Sequence, residues 1–539
     1  MRSAWAILRD RRRAQRGSVL SGVLIMVAFL AILSGALLTA LSTNFLLAAR
    51  LVDHVNDEAT VSSAMELAYS NLQGTQGALM FKGCPNLASV PLNGLTAIAT
   101  YASCVPVLDS GLPQTLSGIG SGGQFLQDGV HAGPSGTGVD EYVNGDSKGN
   151  LVAFASGATT RAWSVGLGGE IIGTPLVMAD PSDAPDGVSY VVPITNPANG
   201  QSLGCANDCV ALLSGDGGAR PSLTCLMPAG GLVSSQPGAG LANPGLSYFG
   251  DSAGNLYAYS ALSGQTSPCD LEDSASISTD LKASVSVVAG PFVVNTGAKK
   301  LTDDLFVVVA NGSVGNLVHY TYTSSGRGDF TFRGSLALPG VPVGAAMQGS
   351  LLAITFTNDD LALLQTSSMS ILGTVVMGGS ISDAPAWSSS GSIGVAAGNT
   401  LSVLDTTLKV LTSAATPSSI TTTPTPDQGG DWFVATSGGE LYVQPRLGGS
   451  AQMVALTNTP VGAITSAPVA TACTTGICIY MGSSDGNIYY AGLDARDATL
   501  DSCLTACASG NFSLRSEVEV GAFKSPGTVH VQGWSYYSP

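Results

Sequence analysis

The chain has 539 residues, 45% of them hydrophobic and only 11% charged, with 68 glycines and ten cysteines. That balance excludes a disordered chain, which would be poor in apolar residues and rich in charge, and it suits many short strands joined by tight turns. Residues 1–50 hold seven Arg against Asp10, a net of +6, so the total of −16 leaves −22 for the rest; so acidic a body repels phosphate backbones, no Lys/Arg stripe is interleaved with aromatics, and nucleic acid is not expected as a partner for the bulk of the chain.

The chain opens with a basic leader, residues 1–17, which carries Arg2, Arg9, Arg11, Arg12, Arg13 and Arg16. From Ser18 to Ala49 there is no charge, and Val19 to Leu41 is almost continuously apolar. As a helix those 23 positions would be about 35 Å long at roughly 1.5 Å per residue, enough to cross a bilayer core. The run is too long for a cleavable secretory signal, whose apolar part is about 7–15 residues. Arginines ahead of the span predict a cytoplasmic N-terminus and an exported remainder. No cysteine precedes Cys84, which excludes an N-terminal lipid anchor. The helix is expected to continue to Gln73. Leu51, Val55, Met65, Ala68 and Leu72 keep mostly helical spacing, no Pro or Gly interrupts from Ala36, and Gly74 is a natural stop.

Basic residues, then Gly17 and Ser18, an apolar span and a long amphipathic extension resemble the N-terminus of type IV pilin-like minor subunits. The resemblance implies cleavage between Gly17 and Ser18 and passage of the apolar helix from membrane to filament core, with pilin subunits as partners. Gly22 stands where the family usually has a Glu, and an uncleaved signal anchor is the alternative.

Residues 74–139 fit neither helix nor repeat and are read as a neck clipped by a Cys84–Cys104 disulfide, with a Gly/Ser/Pro-rich linker over residues 117–138. Residues 140–539 are organised by a recurrent hairpin. Ile479 to Leu493 (IYMGSSDGNIYYAGL) reads as strand, tight turn, strand; Tyr248 to Leu262 (YFGDSAGNLYAYSAL) and Tyr142 to Phe154 (YVNGDSKGNLVAF) are close copies. Eight turn centres stand at Asn150, Asp208, Asn255, Asn316, Asp360, Asn399, Glu440 and Asn487. Their spacing of roughly 40–60 residues is that of a four-stranded propeller blade with loops. A second phrase of small residues, often with Pro, alternates with the first and would begin each inner strand: at Pro175, Pro237, Val287, Ala345, Pro385, Pro424, Pro468 and Pro526. A β-sandwich, the competing fold, does not predict so long a period. The phrase G-S-x-D-G-x-[LI]-Y-A followed by S-x-P resembles the repeat of PQQ-like (quinoprotein-like) propellers. The resemblance covers about residues 140–539 and implies a mainly β fold, an eight-bladed β-propeller. The tail Val518 to Tyr537 carries the inner-strand phrase without a following turn, so it is expected to close the ring by pairing in the blade of Asn150.

All ten cysteines follow the span, in the exported part, as an oxidising compartment would require. Short spacings point to Cys205–Cys209, Cys473–Cys478 and Cys503–Cys507, leaving Cys225–Cys269 beside the Cys84–Cys104 pair. These spacings are not those of zinc knuckles, and no His lies near a Cys pair in sequence, so no metal is expected. Quinoprotein dehydrogenases resemble one another in a vicinal Cys–Cys pair, a calcium site and a Trp in most blades. Here no two cysteines are adjacent, and among five Trp only Trp163 occupies the blade position. No cofactor is therefore expected. The acidic runs Asp303-Asp304 and Asn358-Asp359-Asp360 read as solvated turns; His319 and His530 read as packed strand residues. Asn311-Gly-Ser and Asn511-Phe-Ser fit the glycosylation pattern. No nucleophile elbow, phosphate loop or metalloprotease motif occurs.

The residues show no reaction. The expectation is a non-enzymatic, membrane-tethered propeller outside the cytoplasm of a bacterium, in periplasm or at the cell surface. It would act as a binding or adhesion module for protein or surface ligands, and the pilin resemblance implies a minor-subunit role. Alternatives are a cell-envelope assembly scaffold and, on the quinoprotein resemblance alone, a quinone-dependent dehydrogenase.

Overall fold

The computed structural model describes residues 4–74, 89–92, 95–108, 114–115, 123–132, 140–180, 187–195, 205, 208–216, 219–262, 267–295, 302–324, 328–445, 454–455, 462–473, 476–504, 513–521 and 529–537. The fold is mainly β, a propeller preceded by one long helix, α1 (Ala4–Gly74). Glycine-free sequence beyond Ala36 lets α1 run unbroken to Gly74.

Among the described residues, eight antiparallel sheets follow one another along the chain. The first pairs Val130–Ala132, Glu141–Gly145, Asn150–Ala155 and Arg161–Gly166 in sequence order. The other sheets repeat this meander, with an extra short inner strand in the second. The eight turn centres read from the sequence all lie within one residue of the start of a strand in their sheet, from Asn150 to Asn487. The turn chemistry explains the recurrence. Asp146 Oδ1 accepts the backbone N–H groups of Lys148 (3.0 Å) and Asn150 (2.7 Å), and Asp251 does the same for Ala253 and Asn255. Gly149 and Gly254 then take positive φ, +81° and +77°, a region that L side chains avoid.

The small-residue phrases stand at the inner strands: Pro175 precedes Leu176–Ala179, Pro237 precedes Gly238–Ala239, and Pro468 precedes Val469–Cys473. Pro526 lies outside the described residues. Each inner strand neighbours that of the next sheet, and Val469–Cys473 of the eighth neighbours Val130–Ala132 of the first. Apolar residues of successive sheets merge between them, as where Val143, Leu151 and Trp163 of the first meet Tyr190, Val192 and Leu213 of the second.

The tail departs from expectation. It does not enter the blade of Asn150, whose inner strand is Val130–Ala132. Ser513–Gly521 and Val529–Tyr537 pair instead beyond the propeller, in the order Ser89–Leu92, Leu95–Leu108, Ile488–Leu504, Ser513–Gly521, Val529–Tyr537. Ile488–Leu504 belongs to both bodies. Its first residues pair with Gly476–Gly482 in the eighth sheet, and the rest lie between Leu95–Leu108 and Ser513–Gly521. Gln114–Thr115 pair with Tyr490 and Tyr489, so the chain ahead of the propeller supplies the outer strand of the last sheet. The physical reason is the length of Ile488–Leu504: a strand this long outruns one blade, and its protruding half captures the chain at both ends of the propeller. What was read as a neck is therefore partly sheet, and the propeller is inserted between strands of that sheet.

The second half of α1 lies on this sheet. Val61, Ala64, Met65 and Ala68 recur at intervals of three and four, and they are buried against Ala97, Ala99, Leu500 and Leu514. Ser502 Oγ also donates to the Val61 carbonyl at 2.8 Å. Ahead of them, Val23 to Val55 leaves its large apolar side chains exposed.

Candidate functional site

Two features of the fold are built to meet something else: the bare segment of α1 and a cavity lined by the inner strands. The first is a single helix whose mean hydropathy and length suffice to cross a membrane, with none of its most apolar window buried. Gly17 and Ser18 both fall within α1, just before that window.

The cavity has a volume of about 780 Å³. It forms because the inner strands open with small residues and prolines, which leave the backbone short of side chain toward the axis. Its polar lining includes Asp128, Asp383, Thr423 and Gln236; Phe292 and Met347 are among the apolar lining. Asp128 belongs to a latch, residues 123–129, that reaches from the first sheet to the eighth. Phe125 N–H donates to the Ser483 carbonyl (3.1 Å), Thr465 Oγ1 donates to the Phe125 carbonyl (2.5 Å), and Asp128 Oδ1 accepts the Ala467 N–H (2.6 Å). Asp383, just ahead of the sixth inner strand, accepts the Ala384 N–H and the Thr423 hydroxyl, both at 2.8 Å.

Burial, then the charge of Asp383, pushes the Asp128 carboxyl up to about 7 against the opposing Ala467 N–H and Thr423 hydroxyl. Burial likewise raises Asp383. Two carboxyls brought together where both are partly buried resist double ionisation. The described lining contains no His, Cys, Lys or Arg; its polar side chains are carboxyls, hydroxyls and amides. Among the described residues no group of three or more His, Cys, Asp or Glu is placed to hold a metal.

The acidic residues noted in the sequence sit elsewhere. Asp303 is not a solvated turn residue: it is fully buried, and it takes four donors, the N–H groups of Leu241 and Ala242, Asn243 Nδ2 and the Tyr248 hydroxyl. The donors come from the third sheet and its loop, the acceptor from the fourth, so Asp303 fastens one to the other. Asp304 is also buried and pairs with His319 Nε2 at 2.7 Å, while the His319 ring stacks on Phe306. Asp360 accepts Asn358 Nδ2 at the hairpin turn. Trp163 donates to the buried Glu141. Asn311 is exposed on a turn; Asn511 and the side chain of His530 lie outside the described residues. Sequence reading missed Asp128 and Asp383 as a pair. Asp383 stands inside the phrase Asp-Ala-Pro385, but nothing in that phrase tells an axial carboxylate from a turn.

Disulfides join Cys205 to Cys209 and Cys225 to Cys269. Cys104, Cys478 and Cys503 are also disulfide-bonded, while Cys84, Cys507 and the side chain of Cys473 lie outside the described residues.

No protein-family model matches the chain, and no curated protein matches it. Solved structures do. Sqt1 of Saccharomyces cerevisiae aligns with 12% identity and a TM-score of 0.53 over 71% of this chain and 98% of its own. BamB of Moraxella catarrhalis aligns with 12% identity over 73% and 98%, at a TM-score of 0.43. The designed protein Ika8 covers 72% and 100%, at 12% identity and 0.44. At such identity the likeness to Sqt1 concerns the fold alone: this chain carries a β-propeller behind an N-terminal apolar helix.

Proposed function

We propose that this protein is a membrane-tethered, eight-bladed β-propeller of PQQ-like repeats, displayed outside the cytoplasm, that binds protein or cell-surface ligands and catalyses no reaction. The blade count is supported by eight successive sheets whose inner strands neighbour one another, the last lying against the first. An extracytoplasmic propeller accords with the disulfides Cys205–Cys209 and Cys225–Cys269 and with the arginine-rich flank ahead of the span.

The observation that carries the reading is the division of α1. One part is bare and apolar, and the next is packed on a sheet whose strand Ile488–Leu504 continues into the propeller. A helix with its first half free and its second half docked on an antiparallel sheet favours the pilin-like form of the proposal. In that form the chain is cut between Gly17 and Ser18, and the free half packs among pilin subunits while the propeller stands outward.

The test is N-terminal sequencing of the mature protein from its native envelope, with sheared surface filaments and membranes analysed separately. Recovery from filaments with Ser18 at the N-terminus supports the pilin-like form. Recovery from membranes alone with residues 1–17 intact removes it and leaves an anchored propeller. Protease access to the propeller only from the cytoplasmic side would overturn the topology altogether.

A further inference from the structure

The axial cavity contains two carboxylates without a counter-charge. Asp128 and Asp383 both line it, and no described lining residue is Lys, Arg or His. Their hydrogen bonds come from neutral donors, the Ala467 and Ala384 N–H groups and the Thr423 hydroxyl. Neutral donors orient a carboxylate but do not neutralise it, and an unpaired charge in a partly buried site carries a desolvation cost. The protein meets that cost in part by holding protons more tightly there; a bound cation would meet it more fully.

Size and lining say which cation. The cavity, about 780 Å³, falls within the roughly 300–1,000 Å³ of small-molecule sites and is far too large for one ion. A calcium ion takes about six to eight oxygens in a close shell, and among the described residues no cluster of three or more acidic or other metal-ligating side chains supplies one. The same cavity is also lined by apolar side chains, among them Leu176, Pro291, Phe292, Val343 and Met347. Such a site is complementary to an amphiphile with a small charged head. An ammonium group offers three donors, matching two carboxylates and the Thr423 oxygen.

We propose that the axial cavity binds a small organic amine, its ammonium held by Asp128, Asp383 and Thr423 and its apolar body against Phe292 and Met347. This deepens the binding-module reading by giving it a ligand class, and it rests on that reading only for its biological setting. The chemistry of the cavity does not depend on where the protein resides, so either idea can fail alone.

The experiment is isothermal titration calorimetry of the detergent-solubilised full-length chain with phenethylammonium chloride, and with 2-phenylethanol as its neutral counterpart. The expected result is one amine per chain, bound at least about tenfold more tightly than the alcohol. Asp383→Asn lowers the amine affinity by about tenfold and leaves the alcohol unchanged, whereas Phe292→Ala weakens both several-fold. The proposal is overturned by the absence of amine binding up to about 10 mM, by equal affinity for amine and alcohol, or by an unchanged amine affinity in Asp383→Asn. Tighter binding of calcium chloride than of the amine would overturn it as well. Should Asp383→Asn fail to fold, the comparison of amine with alcohol on the wild-type chain decides alone.

Discussion

Tyr142 and Tyr480 stack face to face, ring centroids 4.9 Å apart and planes 9° from parallel, although they belong to the first and last sheets of the propeller. Around them Phe125, Phe154 and Ile488 complete a buried cluster, and the Tyr480 hydroxyl donates to the carbonyls of Ala155 and Ala158. The two ends of the propeller sequence thus meet through an aromatic core as well as through the latch at residues 123–129.

Removing that core should open the ring. Tyr480→Ala is expected to cost about 3–5 kcal/mol, the range for deleting a large buried aromatic side chain. Tyr480→Phe, which loses only the hydroxyl's bonds to Ala155 and Ala158, should cost about 1 kcal/mol. Urea unfolding followed by tryptophan fluorescence measures both, and equal losses would show that the ring stack contributes nothing beyond the hydroxyl.

The turn glycines differ in what surrounds them. A Cβ on Gly254, at φ +77°, would lie 2.6 Å from the Val285 carbonyl oxygen; one on Gly312, at φ +87°, would meet nothing within 4 Å. Both substitutions to Ala pay the left-handed strain of about 1 kcal/mol, and Gly254→Ala adds a backbone clash of about 1–3 kcal/mol more. Thermal unfolding of the two variants should separate them in that order.

The carboxyl pair sets a pH dependence whose sign follows from proton binding. Asp128 titrates near 7 when folded and about 4 when unfolded, so between those values the folded state holds a proton that the unfolded state has released. Stability from this group is full below about pH 4 and is lost as pH rises through about 7. The urea midpoint of the wild type should therefore fall between pH 5 and pH 8. In Asp383→Asn the fall should be smaller, since the neighbouring charge that helps to raise Asp128 is gone.

Docking of α1 depends on a narrow stripe. Met65 is fully buried against the sheet that carries Leu500 and Leu514. Met65→Ala should cost about 2–5 kcal/mol, and Met65→Asp should release the helix because a buried unpaired charge is not tolerated. Limited proteolysis within residues 57–74, in detergent, reads the release; an uncut Met65→Asp helix would contradict the docking.

The Cys225–Cys269 disulfide joins the outer strand of the second sheet to the third, with a sequence separation of 44. By loop-entropy reasoning its loss should cost about 4 kcal/mol. The Cys205–Cys209 bridge closes a separation of only 4 and should cost about 2 kcal/mol. Chemical denaturation of the two double Cys→Ser variants tests the order.

Much of this architecture was legible because its signals are local. Periodicity and charge along α1, the Asp-x-x-Gly-Asn turns at Asp146 and Asp251, and the short-range pair Cys205–Cys209 each depend on residues a few positions apart. The route of the tail was not legible. Val518 to Tyr537 reads as strand wherever it pairs, and pairing energy does not depend on which sheet supplies the partner edge.

From its residues alone the chain set a bare apolar helix, a repeat of strands with their turn positions, and an acidic body, since propensity, hydropathy and charge act within a few residues. Only the tertiary structure decided that Ile488–Leu504 is shared by propeller and helix-bearing sheet, that Asp303 is a buried fastener, and that Asp128 and Asp383 line the same axial cavity. Those relations join residues from 55 positions apart, as Tyr248 and Asp303, to 441, as Val61 and Ser502, and what fixes them is closure of the ring and burial between its sheets.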